Sequence, residues 1–236
     1  MKRIIITAAI TLTMFSSVSA EAVDVNHFLI CPSTAGVSGF IYNPSAYVLP
    51  HMVLSLGLHR FIFTGNVGLF DIVEAGIIVN FAHSSDVWEI AKSTDFNLKA
   101  RILKEEEAFV SFAAGIERFP INVFEPFPPG EFKLYMVVSK KVTDMNFTVG
   151  VKKPLDGNNL DFLIWDFMVD VSKVVADTVL LVAEYDSGHF NAGVKISLNY
   201  NISVEMFIQN IESLGDANEF GTFLSDHFIF GITYIQ

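Results

Sequence analysis

Apolar and polar residues alternate along much of the chain, and this period of two constrains the fold more than any other feature. From residue 190 to 200 the even-numbered positions hold Phe, Ala, Val, Ile, Leu and Tyr, and the odd-numbered positions hold Asn, Gly, Lys, Ser and Asn. Successive side chains of a β-strand point to opposite faces, so the pattern predicts a strand with one apolar face. Similar alternation occurs over 73–81, 96–103, 132–139, 145–152 and 202–209.

Turn-forming residues divide the chain into about twelve such strands, with ten as the lower bound. The predicted strands cover 51–59, 61–69, 72–82, 95–104, 107–117, 131–142, 144–152, 160–171, 177–186, 189–200, 201–211 and 226–235. A tilted strand of about ten residues crosses a bilayer, and an even strand number lets a closed antiparallel barrel return both termini to one side. The predicted fold is therefore all-β, an antiparallel transmembrane β-barrel.

Composition supports an apolar environment and excludes one class of partner. Hydrophobic residues make up 51% of the chain and charged residues only 17%, although beyond residue 20 no uncharged apolar run is long enough for a spanning helix. The formal net charge is -11, and the chain lacks the excess of basic residues that nucleic-acid-binding proteins have. Nucleic acid is therefore not an expected partner.

The first twenty residues have the pattern of a cleaved signal peptide. Lys2 and Arg3 precede an apolar stretch of about a dozen residues, and small residues around Val18 and Ala20 match a signal peptidase site. We therefore expect a signal peptide at 1–20, an irregular N-terminal lead at 21–50 and the β-barrel at 51–236, in the outer membrane of a Gram-negative-type bacterium.

Alternation alone leaves open which face meets lipid. If the apolar set faces outward, charged residues of both signs line the lumen, and the candidates are Glu74, Lys99, Arg101, Lys133, Lys152, Asp166, Asp170, Glu184, Lys195 and Glu205. A mixed lining predicts weak charge selectivity if the lumen conducts. The alternative is a soluble secreted or periplasmic β-domain that holds an apolar ligand inside.

The predicted last strand is aromatic, with Phe228, Phe230 and Tyr234 on one face. Such a strand resembles the signal read by the barrel-assembly machinery, although this chain ends in Ile235-Gln236 rather than Phe. Expected partners are therefore outer-membrane lipid and that machinery.

Several short stretches resemble the YjbH-like outer-membrane barrels, a family associated with exopolysaccharide operons. The similar stretches are 42–50, 54–57, 68–76, 134–140, 147–150, 183–186 and 190–194. The resemblance implies an outer-membrane location for a short, single-barrel relative. It also implies a link to polysaccharide export or surface assembly, with polysaccharide or its export proteins as partners, and it implies no catalytic residue.

No catalytic or cofactor motif stands out. The six His residues lack the spacing of a helical metal site, and there is no nucleophile elbow or phosphate loop. His189 and His227 each follow an Asp closely, but both lie at predicted strand ends, where a turn Asp and a rim His are expected. The sequence therefore predicts a non-enzymatic protein without cofactor or metal.

Overall fold

The computed structural model describes residues 28–82, 94–120, 132–155, 165–216 and 220–236. The predicted signal peptide lies outside these residues. Twelve strands form the described fold: β1 Leu54–His59, β2 Ile62–Leu69, β3 Val73–Asn80, β4 Thr94–Leu103, β5 Ser111–Pro120, β6 Lys133–Val142, β7 Met145–Pro154, β8 Asp166–Val175, β9 Val179–Asp186, β10 His189–Ser197, β11 Ile202–Ile208 and β12 Phe228–Ile235.

The strands close into one antiparallel barrel in which sequence neighbours are also spatial neighbours. The seam joins β1 to β12, where Ser55 pairs with Ile235 and His59 with Gly231. The predicted fold class and the strand number of twelve are confirmed. Across the described ranges, no helix is both long enough and apolar enough to span a membrane.

Most predicted bounds differ from the observed ones by up to three residues, and two predicted strands differ by four residues or more. The fifth was expected over 107–117 but begins at Ser111, because Glu105–Ala108 form the short helix α1, which ends at Phe109 with a left-handed φ of 69°. The eighth was expected over 160–171 but runs over Asp166–Val175, and residues 156–164 lie outside the described part of the chain.

The two ends of the barrel differ in their connections. At one end, called the turn end, the connections are 70–72, 104–110, 143–144, 176–178 and 198–201, and β1 begins and β12 ends there. The other end, called the loop end, has the longer connections 81–93, 121–132, 155–165 and 209–227 together with two tight turns. The last of these loops carries a 3-10 helix, Ile211–Asp216, and helix α2, Phe220–Asp226.

Residues 28–49, called the inner segment, lie inside the barrel. This stretch bonds to side chains of β2, β3, β4, β6, β7, β8, β9 and β10, and a segment can reach so many strands of a closed barrel only from within. Isolated bridges join Pro32 to Ser38 and Gly39 to Pro44, so the segment folds back on itself. Almost all of its side chains are buried.

Two apolar clusters pack the inner segment against the wall. The larger joins Phe28, Leu29, Phe40 and Ile41 of the segment to Val174, Leu180, Val182, Phe207 and Ile229 of the strands. The smaller joins Val37 and Ala46 to Ala113, Tyr135, Val137 and Met168. Burial of one large apolar side chain contributes about 1.5–3 kcal/mol, so these contacts stabilise the segment inside the closed barrel.

Candidate functional site in the barrel interior

The outer face of the barrel is apolar. Side chains such as Val149, Leu181 and Phe230 are 45%, 49% and 52% exposed, while the strand residues beside them are mostly buried. Charged residues on this face stand near strand ends, as the exposed Lys173 does in β8. The apolar set therefore faces outward, and the interior is filled by the chain itself. This arrangement does not fit the alternative of a soluble domain built around an apolar ligand.

The ten charged residues predicted for the lumen fall into two groups. Seven are buried in contact with the inner segment or with one another: Glu74, Lys99, Lys152, Asp170, Glu184, Lys195 and Glu205. Arg101, Lys133 and Asp166 are partly exposed and lie near strand ends.

Glu74 and Lys99 hold the first part of the inner segment. The Glu74 carboxylate accepts hydrogen bonds from the Ser38 backbone N–H at 2.6 Å and from the Ser38 hydroxyl at 2.6 Å. The Lys99 ammonium lies 3.3 Å from Glu74 Oε2 and donates to the Ser38 carbonyl at 2.9 Å. β3 and β4 pair Glu74 directly with Lys99, so the strand register brings the two charges together.

Glu184 holds the far part of the inner segment near the loop end. Its carboxylate accepts the backbone N–H groups of Ile41, Tyr42 and Asn43 at 2.9–3.0 Å. Its cross-strand neighbour Asp170 accepts the Asn43 side-chain amide at 2.9 Å. The bonds to Glu184 supply the donors that a buried carboxylate needs.

Lys152 balances the acidic groups around this site. Its ammonium donates to the Tyr42 carbonyl at 3.1 Å and lies 3.4 Å from Asp186 and 3.8 Å from Glu117. One Glu117 oxygen and one Asp170 oxygen are buried without a hydrogen-bond partner. The site therefore combines several carboxylates with one central ammonium group.

A third cluster contains a histidine that sequence reasoning missed. His59 Nε2 lies 2.7 Å from Glu205 Oε2, and the other Glu205 oxygen accepts the Thr233 hydroxyl at 3.0 Å and lies 3.5 Å from Lys195. Both His59 and Glu205 pair with Gly231, one from each side, so the imidazole reaches across a residue that has no side chain. The alternation in β1 could have indicated that His59 faces the interior. Its partner Glu205 could not be predicted, because the two residues meet only where β1 and β12 pair to close the barrel.

Two further described histidines, His189 and His227, bond to loop residues near the loop end. His189 bonds Glu212 and His227 bonds the Gln209 carbonyl, while His59 and Glu205 are both 0% exposed and closed to substrate. Among the described residues, no three His, Cys, Asp or Glu side chains are placed to hold a metal ion.

The turn end carries a cavity of about 590 Å³ between the inner segment and the wall. Leu29, Ile30, Val48 and Pro50 form its apolar side, and the rim includes Arg101, Glu105, Glu106 and Lys141. Partial burial would raise the pKa of Glu105, but hydrogen bonds from the Lys140 ammonium, the Lys141 N–H and the Tyr47 hydroxyl outweigh burial and keep that pKa below its usual value. Because Leu29 and Val48 both line this cavity, both ends of the inner segment lie at the turn end of the barrel.

The closed antiparallel sheet, the apolar outer face and the charged, filled interior define a twelve-stranded β-barrel of the membrane type. No family model and no curated protein matches the chain. The KdgM porin, solved alone and in complex with disordered oligogalacturonate, is 10% identical, with a TM-score of 0.47 over 77% of this chain and 96% of the porin. A mutant of the Rh. blastica porin is 9% identical, with a TM-score of 0.36 over 74% of this chain and 55% of that porin. The likeness is distant in each case.

Proposed function

We propose that this protein is a non-enzymatic outer-membrane β-barrel whose lumen is closed at rest by its own N-terminal inner segment. The observation that carries the proposal is the division of faces in the described strands, with apolar side chains exposed outside and charged side chains buried inside. Exposed apolar surface of this extent is stable only against lipid.

The connections orient the barrel in the membrane. Outer-membrane barrels have short periplasmic turns and longer extracellular loops. The turn end is therefore periplasmic, and the loop end faces the cell surface. The 590 Å³ cavity beside the inner segment opens toward the periplasm in this orientation.

A link to exopolysaccharide export or surface assembly is the finer part of the proposal. It is supported by the resemblance of stretches within residues 42–194 to the YjbH-like barrels, and the partners would be a polysaccharide or its export proteins. Removing the protein from its native host is expected to reduce surface polysaccharide, and restoring the wild-type chain is expected to recover it. Unchanged surface polysaccharide would refute this link and leave the membrane barrel standing.

Membrane fractionation tests the barrel itself. The full chain is expected to resist carbonate extraction from outer membranes and to migrate differently on a gel before and after boiling, as closed barrels do. The barrel assembly machinery is expected to be required for this state. A chain that is released by carbonate and shows no shift on boiling would refute the proposal.

A further inference from the structure

The inner face of the wall is more polar than a permanently filled interior requires. Among the buried strand residues, Ser, Thr, Asn and charged side chains outnumber apolar ones. Burying charges is costly unless each is paired and hydrogen-bonded, and apolar replacements of similar volume are often as stable or more stable. A polar inner face is instead typical of barrels whose lumen holds water. The wall therefore has the chemistry of an aqueous passage, although the inner segment fills it.

The inner segment is placed so that it can leave without threading through the wall. Leu29 and Val48, near its two ends, both line the cavity at the turn end. Its middle reaches toward the loop end, where the Tyr42 hydroxyl contacts the Gln209 side chain, which follows β11. A segment with both ends on one side of the barrel can withdraw toward that side as a folded loop.

Besides the apolar packing of Phe40 and Ile41, the far part of the segment is held by hydrogen bonds to a small set of neighbouring wall residues. These bonds converge on Glu184, which accepts three consecutive backbone N–H groups, and on Lys152, which donates to the Tyr42 carbonyl. The wall recognises the backbone here, and loss of one carboxylate would remove three bonds at once. Glu184 is therefore the central contact between the wall and the middle of the segment.

We propose that the inner segment is a gate, and that its withdrawal toward the periplasm opens a water-filled passage for ions and small hydrophilic solutes. This inference rests on the proposed function, because it requires the barrel to span a membrane. The carboxylates and ammonium groups of the wall occur together, so the open passage is only weakly charge-selective.

Single-channel recording in planar bilayers tests the gate with the full chain. Glu184→Ala removes the contact to the inner segment and is expected to raise the frequency of conducting events about tenfold or more over wild type, since bonds to a charged group are lost. Glu212→Ala is the matched control, because Glu212 also accepts a backbone N–H at the loop end, from Phe190. Within the described part of the chain, its hydrogen-bond partners His189 and Phe190 belong to β10 and not to the inner segment. This control is expected to behave as wild type.

A reversible clamp makes the test independent of Glu184. Ala46 N–H donates to Ser139 Oγ at 2.9 Å, so Ala46→Cys with Ser139→Cys, in a Cys31→Ser background, ties the segment to β6. Oxidation is expected to suppress conducting events, and reduction to restore them.

If Glu184→Ala fails to fold, Asn43→Ala takes its place with the same expectation, because it removes the amide bond to Asp170.

The outcomes separate the two proposals. Variants that shift on boiling and insert into bilayers but conduct no more often than wild type overturn the gate alone. Events that persist unchanged under the oxidised clamp also overturn it, because the passage would then lie elsewhere. Wild-type protein that never enters the membrane overturns the proposed function. Strong preference for anions or cations in the open state contradicts the mixed lining.

Discussion

The carboxylate of Glu184 accepts three consecutive backbone N–H groups of the inner segment and the Asn191 amide as well. At Ser38, the Glu74 carboxylate accepts the backbone N–H and the Lys99 ammonium donates to the backbone carbonyl. At the scale of single residues, the interior is thus held by wall side chains that bond backbone groups. The cost of each buried charge is offset only while these partners stay in place.

Glu74→Gln tests this dependence. The substitution leaves Lys99 buried without its carboxylate, and loss of one partner of a buried pair typically costs about 3–5 kcal/mol. The free energy of unfolding, measured by urea titration of the barrel in lipid, is expected to fall by about that amount. Adding Lys99→Met should recover a substantial part of the loss, whereas equal stability of Glu74→Gln and wild type would refute the pairing.

Gly231→Ala tests the histidine cluster. A Cβ at this position would collide with the His59 ring, which crosses Gly231 to reach Glu205. We expect a loss of about 1–3 kcal/mol in unfolding free energy, as for other overpacked sites. Gly188→Ala serves as a contrasting control, because a Cβ there meets nothing within 4 Å and only the left-handed backbone is strained. A larger loss at Gly188 than at Gly231 would contradict the packing explanation.

At the scale of elements, the strands were predictable and the inner segment was not. Period-two alternation identifies the strands because the membrane fixes one face and the interior the other. In β11, for example, buried Ser203 and Glu205 alternate with outward Ile202, Val204 and Met206. Residues 28–49 have no such period, and their position follows from bonds to strands more than a hundred positions away, such as Ile41 to Glu184. Helix α1 replaced the predicted start of β5 for a similar reason, since Glu105 is tied to β6.

The 3-10 helix of the last loop is fastened to β10 by a titratable contact. Glu212 accepts the Phe190 N–H at 3.0 Å and lies 2.7 Å from His189 Nδ1, and these bonds lower the pKa of Glu212 to about 2 from an ordinary 4.5. A carboxylate with a lowered pKa stabilises the folded contact above pH 4.5 and loses that effect as the pH falls toward 2.

Acidification from pH 5 to pH 2 is therefore expected to weaken the attachment of this helix to β10 while the barrel stays closed. NMR signals of the Phe190 amide should shift with a midpoint near 2 in wild type. The Glu212→Gln variant should show no such transition. A midpoint near the ordinary value of 4.5 in wild type would refute the contact.

At the scale of the whole molecule, the outward apolar set makes insertion sensitive to a single charge. Val194 faces outward near the middle of β10, so Val194→Lys places an ammonium group in the lipid. The expected cost is about 2–4 kcal/mol near the bilayer midplane, and the variant should insert poorly in a liposome assay. Val194→Leu, which changes size but adds no charge, should insert like wild type. Equal insertion of the two variants would show that this face does not meet lipid.

The wall recognises the inner segment mainly through backbone N–H and carbonyl groups, which every residue except proline offers in full. Many side chains of residues 28–49 are therefore free to change as long as volume is kept, whereas Glu74, Lys99 and Glu184 are not. In related chains we therefore expect the charged residues of the strands to be conserved and the sequence of the inner segment to vary. A segment whose sequence varies in this way can acquire side chains specific for a solute or a partner while the barrel around it stays the same.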